Sequence, residues 1–260
     1  MKKMLKKLLS MALVVLMIMC LVPPVEVDAA SKTVTLKNQK WYTHSSTTSQ
    51  TVYHKIKVPK DGYITLQGYS WHPFSTSKQS MRVQLCNSKK KLLTNRIQFL
   101  SSGNSSYSGK KAFTNYFAVK KGTYYIKAEG YQHKLKYTFK AVKDQGGSSK
   151  AKAKNIGKGK TVKGLLTAGE KGNKIDWYKI TLPKAQKIKF TYDGRACNWL
   201  QFKVVAANPN VYISGASSYC WGKKETATTK GAFPAGTYYI QVSRMSNNKD
   251  ASGYYTVSWK

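Results

Sequence analysis

Acidic residues are scarce: 10 Asp plus Glu stand against 45 Lys plus Arg in 260 residues, a formal net charge of +35. Two of the ten, Glu26 and Asp28, fall in the first thirty residues, and the remaining eight are scattered singly. Paired carboxylates for acid and base work are therefore missing. So are the clustered oxygens a hard cation requires: Ser31 to Lys40 holds no carboxylate, and the lone Asp176 is expected to bond nearby backbone at a strand start. Histidine is equally sparse, with His44, His54, His72 and His133 the full set. Neither a Gly-x-Ser-x-Gly elbow nor a His-Glu-x-x-His pair occurs. With no nucleophile, base and orienting group signalled together, the chain is expected to be no enzyme and to use no catalytic residue, cofactor or metal.

Arginine is nearly absent too, at Arg82, Arg96, Arg195 and Arg244. Lysine is a flexible point charge without the guanidinium fork that reads bases bidentately, which argues against sequence-specific nucleic-acid recognition. The excess charge instead predicts attraction to an anionic polymer or surface, weakened by salt. Non-specific nucleic-acid binding outside the cell is favoured by charge alone. Lysines such as Lys55, Lys57, Lys187 and Lys189 serve equally to solvate outer strand faces and deter edge pairing.

Long apolar runs are confined to the start. Lys2, Lys3, Lys6 and Lys7 precede the run Leu8 to Val22, and Val27-Asp-Ala29 supplies a cleavage site. Residues 1–30 read as a secretory signal peptide, giving a secreted protein, extracellular or loosely attached to the cell surface. The run is short for a membrane span and Pro23-Pro24 closes it, so no transmembrane anchor is expected after cleavage. Of four cysteines, Cys20 lies in this segment, leaving Cys86, Cys197 and Cys220. Cys197 and Cys220 are the natural disulfide pair, at the two ends of a strand-and-return segment; three idle thiols are the other reading, since three is odd.

Helical periodicity is missing from everything that follows. What is there is a repeat: Gly122-Thr-Tyr-Tyr-Ile126 recurs as Gly236-Thr-Tyr-Tyr-Ile240. Ile56-Lys-Val-Pro59-Lys60 precedes the first copy as Ile180-Thr-Leu-Pro183-Lys184 precedes the second, and Tyr137-Thr-Phe139 and Tyr255-Thr-Val257 follow. The spacing marks a duplicated domain. Within each copy, short segments alternate with period two: Val52 to Val58, Tyr63 to Gln67, Met81 to Leu85 and Thr123 to Ala128, then Asp176 to Leu182, Ile188 to Tyr192, Leu200 to Val204 and Gly253 to Trp259. Asp61-Gly62 and Asp193-Gly194 offer turns. Short strands punctuated by turn residues predict an all-β chain of two tandem β-sandwich domains, residues 31–143 and 155–260. Between them 144–154, rich in glycine, serine and lysine, is expected to be a solvated, flexible linker.

The segments Asp176-Trp-Tyr-Lys-Ile-Thr-Leu-Pro183, Phe233-Pro-Ala-Gly-Thr-Tyr-Tyr-Ile-Gln-Val242 and Gly253-Tyr-Tyr-Thr-Val257 resemble the bacterial pre-peptidase C-terminal (PPC) domain, a jelly-roll-like β-sandwich. The resemblance covers most of the second repeat and is weaker in the first, where Val52 takes the place of Asp176. It implies a non-catalytic binding or maturation role of the kind such domains have when appended to secreted hydrolases, although here no catalytic domain accompanies them.

Aromatic side chains divide between core and surface. Trp177, Phe190, Phe202, Tyr238 and Trp259 are assigned to the core. Trp71 and Phe74 in one loop, and Trp199, Tyr219 and Trp221 near the two cysteines, are the candidate ligand-binding residues, because exposed rings stack on the apolar faces of sugars. A plug under the loops is the alternative for these five. Together the features predict a secreted, cationic, non-catalytic protein that adheres by carbohydrate binding to an anionic polysaccharide or cell-wall polymer. The alternative partner is a protein: a module that recruits or regulates a secreted hydrolase.

Overall fold

The computed structural model describes residues 31–71, 80–95, 97–100, 113–207, 216–220, 222–245 and 251–260. Every regular element in them is a strand, apart from a helical turn at Met245. The first nine are β1 (Lys32–Thr35), β2 (Tyr42–His44), β3 (Gln50–Val58), β4 (Gly62–Trp71), β5 (Ser80–Cys86), β6 (Ile97–Leu100), β7 (Phe113–Val119), β8 (Gly122–Gly130) and β9 (Gln132–Ala141). The next nine are β10 (Lys154–Asn155), β11 (Thr161–Leu166), β12 (Ile175–Leu182), β13 (Lys189–Cys197), β14 (Leu200–Ala206), β15 (Ser218–Cys220), β16 (Lys224–Thr228), β17 (Gly236–Arg244) and β18 (Gly253–Trp259).

They form four sheets in two like pairs. Sheet β1-β3-β8-β5-β6 faces β2-β9-β4-β7, and sheet β10-β12-β17-β14-β15 faces β11-β18-β13-β16. Adding nine to each strand number of the first pair yields the second. The chain is thus two β-sandwiches of one topology, as the repeat predicted. In each, the edge strand β1 or β10 runs parallel to its neighbour while the other ladders are antiparallel. The recurrent glycines pair alike, Gly122 with Val58 and Gly236 with Leu182, so Ile126 lies opposite His54 as Ile240 lies opposite Tyr178.

Alternation decides which side chains enter each core. Ile56, Ile64, Leu66, Met81, Leu85, Phe117 and Ile126 fill the first; Ile180, Phe190, Tyr192, Phe202, Ile240 and Val257 fill the second. Each such side chain contributes roughly 1.5–3 kcal/mol by leaving water. Phe190, Phe202, Tyr238 and Trp259 are buried as predicted, but Trp177 is only half-buried. It falls one residue out of phase with Asp176 and Tyr178, which face inward, and so lies on the outer face.

Two further expectations change in the structure. Asp193-Gly194 is no turn: β13 continues to Cys197, with a bulge between Asp193 and Ala196. Segment 144–154 is not free in solvent. The Gln145 amide donates to Lys163 O, Gly147 exchanges two backbone bonds with Trp177, and the Asp144 carboxylate accepts from Gly146 N and Leu165 N. Short polar side chains capping backbone donors hold this stretch against β11 and β12 without apolar burial. A Cβ at Gly147 would sit 2.2 Å from Lys152 O, so glycine is required there.

The sandwiches also touch directly, and Lys32–Lys260 form a single compact unit. Ala168 N donates to Ala118 O at 2.8 Å, and Asn198 Nδ2 donates to Tyr116 O at 3.0 Å and to Asn115 Oδ1. Tyr63 stacks on Tyr254, rings 8° from parallel and 5.2 Å apart.

Candidate functional site

Two buried polar clusters come first, because they are where catalytic chemistry would have to reside. In the first sandwich His44 (β2), His54 (β3) and His133 (β9) meet in the core, with His54 Nε2 3.0 Å from His133 Nε2 and the His44 and His133 rings 4.9 Å apart. Burial lowers the pKa of all three, with Lys32 adding to the effect at His44 and neighbouring imidazoles at His54 and His133; that of His54 falls to about 3. Among the described residues no group of three His, Cys, Asp or Glu is arranged to hold a metal ion. His72 lies outside the described residues.

The second sandwich answers His54 with Tyr178. Its hydroxyl lies 2.9 Å from that of Tyr255, which donates to Asp176 Oδ2 at 2.7 Å. Asp176 therefore bonds a side chain across the sandwich, not the nearby backbone that its position suggested. Burial, with Asp144 adding repulsion, raises its pKa to about 6. Lys174 Nζ stands 3.6 Å from Asp176 and 3.0 Å from Glu170, and the Arg244 guanidinium binds Thr167 O at 2.5 Å and approaches Glu170 at 3.7 Å. Two side-chain cations thus stand beside the Asp176 and Glu170 carboxylates.

The surface aromatics are differently placed. Trp71 ends strand β4, so it is not a loop residue as expected; it shares the outer face with Tyr69, two positions earlier. Tyr69 stands 5.4 Å from Trp41, a ring 38% exposed just ahead of β2. Over Trp41 lie the ammonium groups of Lys136 at 4.8 Å and Lys134 at 5.5 Å, both from the adjoining β9. These distances fall within cation–π range, and the lysines also put positive charge beside an apolar ring. Sequence reading missed Trp41 and Tyr69. The signal was parity: Tyr63, Thr65, Gln67, Tyr69 and Trp71 occupy one face of β4 and Ile64 and Leu66 the other.

In the second sandwich Trp199 and Tyr219 are 39% and 55% exposed. Trp199 takes a left-handed backbone, φ 48°, in the two-residue turn Asn198-Trp199 between β13 and β14. Non-glycine residues adopt that conformation at a cost, here offset by Asn198, whose amide is tied to the first sandwich, and by Met245 N, which donates to Trp199 O. Tyr219 lies opposite Gln201 on edge strand β15, and Gln201 Nε2 donates to its hydroxyl at 3.2 Å. Phe74 and Trp221 fall outside the described residues.

The expected disulfide is not formed. Cys86, Cys197 and Cys220 are buried free thiols. Cys197 Sγ and Cys220 Cβ both crowd Gly194, so the two residues are neighbours, but the Cys197 thiol donates to Gly194 O at 3.1 Å and the Cys220 thiol turns toward Tyr192 O. Burial raises both thiols above their ordinary pKa, Cys220 to about 11.

No family model matches the chain, and no curated protein does. Among solved structures it is similar to the pre-peptidase C-terminal domain of a collagenase from Bacillus anthracis, at 19% identity over 46% of this chain and 100% of that one, TM-score 0.32. It is similar also to the tandem CBM22-1-CBM22-2 domains of Xyn10C from Paenibacillus barcinonensis, at 7% identity over 86% and 94% of the chains, TM-score 0.30. A third is the CUB1-EGF-CUB2 region of rat MASP-1, at 10% identity over 87% and 99%, TM-score 0.23. Among the described residues no helix is long and apolar enough to cross a membrane.

Proposed function

We propose that this is an exported, non-catalytic protein that adheres to an anionic polysaccharide of a cell wall or extracellular matrix. Residues 1–30 are its signal peptide, and 31–143 and 155–260 its two binding domains. The observation that carries the reading is Trp41, an exposed ring flanked by Tyr69 with the ammonium groups of Lys134 and Lys136 above it. A sugar ring needs a flat apolar surface and an acidic substituent needs a nearby cation; this patch supplies both. Trp71 extends it along β4, and the exposed Trp199 and Tyr219 give the second domain a contact of its own at a different place in the sandwich. The large excess of lysine over acidic residues, which the loss of residues 1–30 hardly alters, adds the long-range attraction.

The test is retention of the purified exported chain on cell walls, acidic glycans, neutral glycans and DNA, at low and at physiological salt. Retention on acidic glycan, lowered more than tenfold by salt and weakened by Trp41→Ala, is the expected result. Salt-indifferent binding to neutral glycan, or retention on DNA alone, would overturn the reading.

A further inference from the structure

The outer faces of the two five-stranded sheets repeat one another in chemistry as well as in topology. In the first sandwich Tyr53 on β3 pairs with Lys127 on β8, and two residues along Lys55 pairs with Tyr125. In the second Trp177 on β12 pairs with Gln241 on β17, and Lys179 with Tyr239. Each face therefore bears two aromatics on a diagonal with a lysine between them. The ring centroids are 6.3 Å apart at 83° in one and 6.2 Å apart at 80° in the other. All four rings are half-exposed.

Duplication of a domain accounts for the rings, because they stand at the same register in both copies. It does not account for the ammonium groups above them. Lys90 reaches 4.4 Å above Tyr53 and 5.8 Å above Tyr125 from the turn after β5. Lys150 reaches 4.9 Å above Tyr239 from segment 144–154, which precedes β10 and has no relation to that turn in the repeat. Two unrelated segments thus bring an ammonium group over the equivalent rings Tyr125 and Tyr239, although Lys90 lies closer to Tyr53. Lys90 does so from a left-handed backbone, φ 59°, in a turn where Asn87 Oδ1 accepts from Lys89 N and Lys91 N. Backbone held in a sparsely populated region, with an exposed cation at its apex, is a common mark of a working surface.

We propose that these two faces are a duplicated platform for acidic sugar residues, so that one chain grips one polyanionic glycan at two places. A sugar ring stacks on the face of one ring of each perpendicular pair and meets the edge of the other, while Lys55 and Lys90, or Lys179 and Lys150, take its carboxylate. Both capping lysines are exposed; to reach a carboxylate Lys90 gives up its cation–π contact and its 3.3 Å hydrogen bond to Thr33 Oγ1, both weak at an exposed site. Two tethered platforms raise affinity beyond that of either by effective concentration. The inference rests on the polysaccharide reading above and adds the two sheet faces to the Trp41 patch as contact sites.

The test measures binding of the exported chain to polygalacturonate and to neutral dextran by affinity electrophoresis. Variants are Tyr53→Ala with Tyr125→Ala, Trp177→Ala with Tyr239→Ala, all four together, and Lys90→Gln with Lys150→Gln. Circular dichroism checks that each remains folded, and the lysine pair, whose side chains carry no core contact, keeps the test open if an aromatic variant unfolds. Loss of about tenfold for either aromatic pair, and of a hundredfold or more for all four, is expected for two linked sites. The lysine pair should lose several-fold, with dextran unbound throughout. Wild-type chain that ignores polygalacturonate overturns both the polysaccharide reading and the platform. Wild-type binding that survives the fourfold and lysine variants but is abolished by Trp41→Ala or Trp199→Ala overturns the platform and leaves the reading intact.

Discussion

At one equivalent position of β3 and β12 each sandwich carries a polar side chain that bonds across the sheets, and the two are of opposite chemistry, with partners at different positions of β9 and β18. His54 and Tyr178 lie opposite Ile126 and Ile240 in matching registers, and each bonds a residue of the facing sheet, His133 in one case and Tyr255 in the other. The first interior is made of neutral imidazoles with no counter-charge among them. The second links phenols to a carboxylate held by Lys174. The apolar alternation around the pair sets the fold in both halves, while the polar groups differ in satisfaction: His54 Nδ1 and His133 Nδ1 are buried without a hydrogen-bond partner, whereas Tyr178 bonds Tyr255 and Tyr255 bonds Asp176. This difference in chemistry changes how each half responds to its surroundings.

Acid should separate the halves most. His44, His54 and His133 have pKa values below the ordinary histidine value, through burial first and then mutual repulsion with Lys32 acting on His44, while the other aromatic ring against His54 is Tyr42. Below about pH 6.5 the unfolded chain takes up protons that the folded sandwich refuses, so stability is full above that pH and falls beneath it. Each fully refused proton removes about 1.4 kcal/mol per pH unit. Asp176 is shifted the other way, to about 6, with Asp144, Glu170, Lys174 and Tyr255 facing it. Its folded form takes a proton first, so between about pH 6 and pH 4 it adds stability as acidity rises. Glu170, whose pKa is lowered, opposes that gain. Hydrogen exchange from pH 7 to pH 4 should show β3 and β9 losing protection before β12 and β18. Equal loss in both halves would break the contrast.

Tyr255→Phe should sharpen it. The change strips the buried Asp176 carboxylate of its 2.7 Å donor and Tyr178 of its partner, a loss of about 1–3 kcal/mol. The deficit should be smaller at pH 5, where Asp176 is protonated, than at pH 8. Thermal melts at the two pH values read this directly, and a pH-independent deficit would show that the carboxylate is not the group affected.

A smaller effect belongs to the contact between the halves. The proposed boundary at 144–154 predicts tryptic cleavage at the exposed Lys150 or Lys152. The two fragments should nonetheless co-elute in size-exclusion chromatography, held by the Tyr63–Tyr254 stack and the Asn198 and Ala168 hydrogen bonds. Tyr63→Ala should loosen the nicked pair by roughly 1 kcal/mol, the worth of such a stack. Fragments that separate without this change would make the halves independent.

The thiols offer the gentlest probe. Cys86 reports on the first sandwich, Cys197 and Cys220 on the second, and all three are buried with raised pKa values. A maleimide at pH 7 should label none of them in the folded chain and should reach Cys86 first as the pH falls. Peptides joined through Cys197 and Cys220 in non-reduced protein would show that export closes the bridge, which would stabilise the second sandwich by about 3 kcal/mol on the chain-entropy model.

Much of the fold was readable because period-two alternation is local: Ile64 and Leu66, or Phe190 and Tyr192, declare a face without reference to any partner. The repeat Gly-Thr-Tyr-Tyr-Ile then fixed that whatever one half did the other would copy. The misreadings came from single-residue phase. Trp177 was assigned to the core although Asp176 and Tyr178 are the inward pair, and Trp71 was placed in a loop although it continues β4. Phase within a strand depends on which neighbours pair, and a shift of one residue exchanges the faces.

The sequence by itself determined strand content, the duplication and the surplus of lysine, since composition and short-range pattern carry all three. Only the tertiary structure decided that three histidines from three strands meet in one core, that Asp176 answers to Tyr255 and Lys174, that segment 144–154 is pinned by backbone bonds, and that Lys90 and Lys150 arrive over the equivalent rings Tyr125 and Tyr239. The physical reason is range. Alternation is fixed by neighbours in the chain, whereas hydrogen bonds and charge contacts act over a few ångströms between residues that the fold brings from far apart.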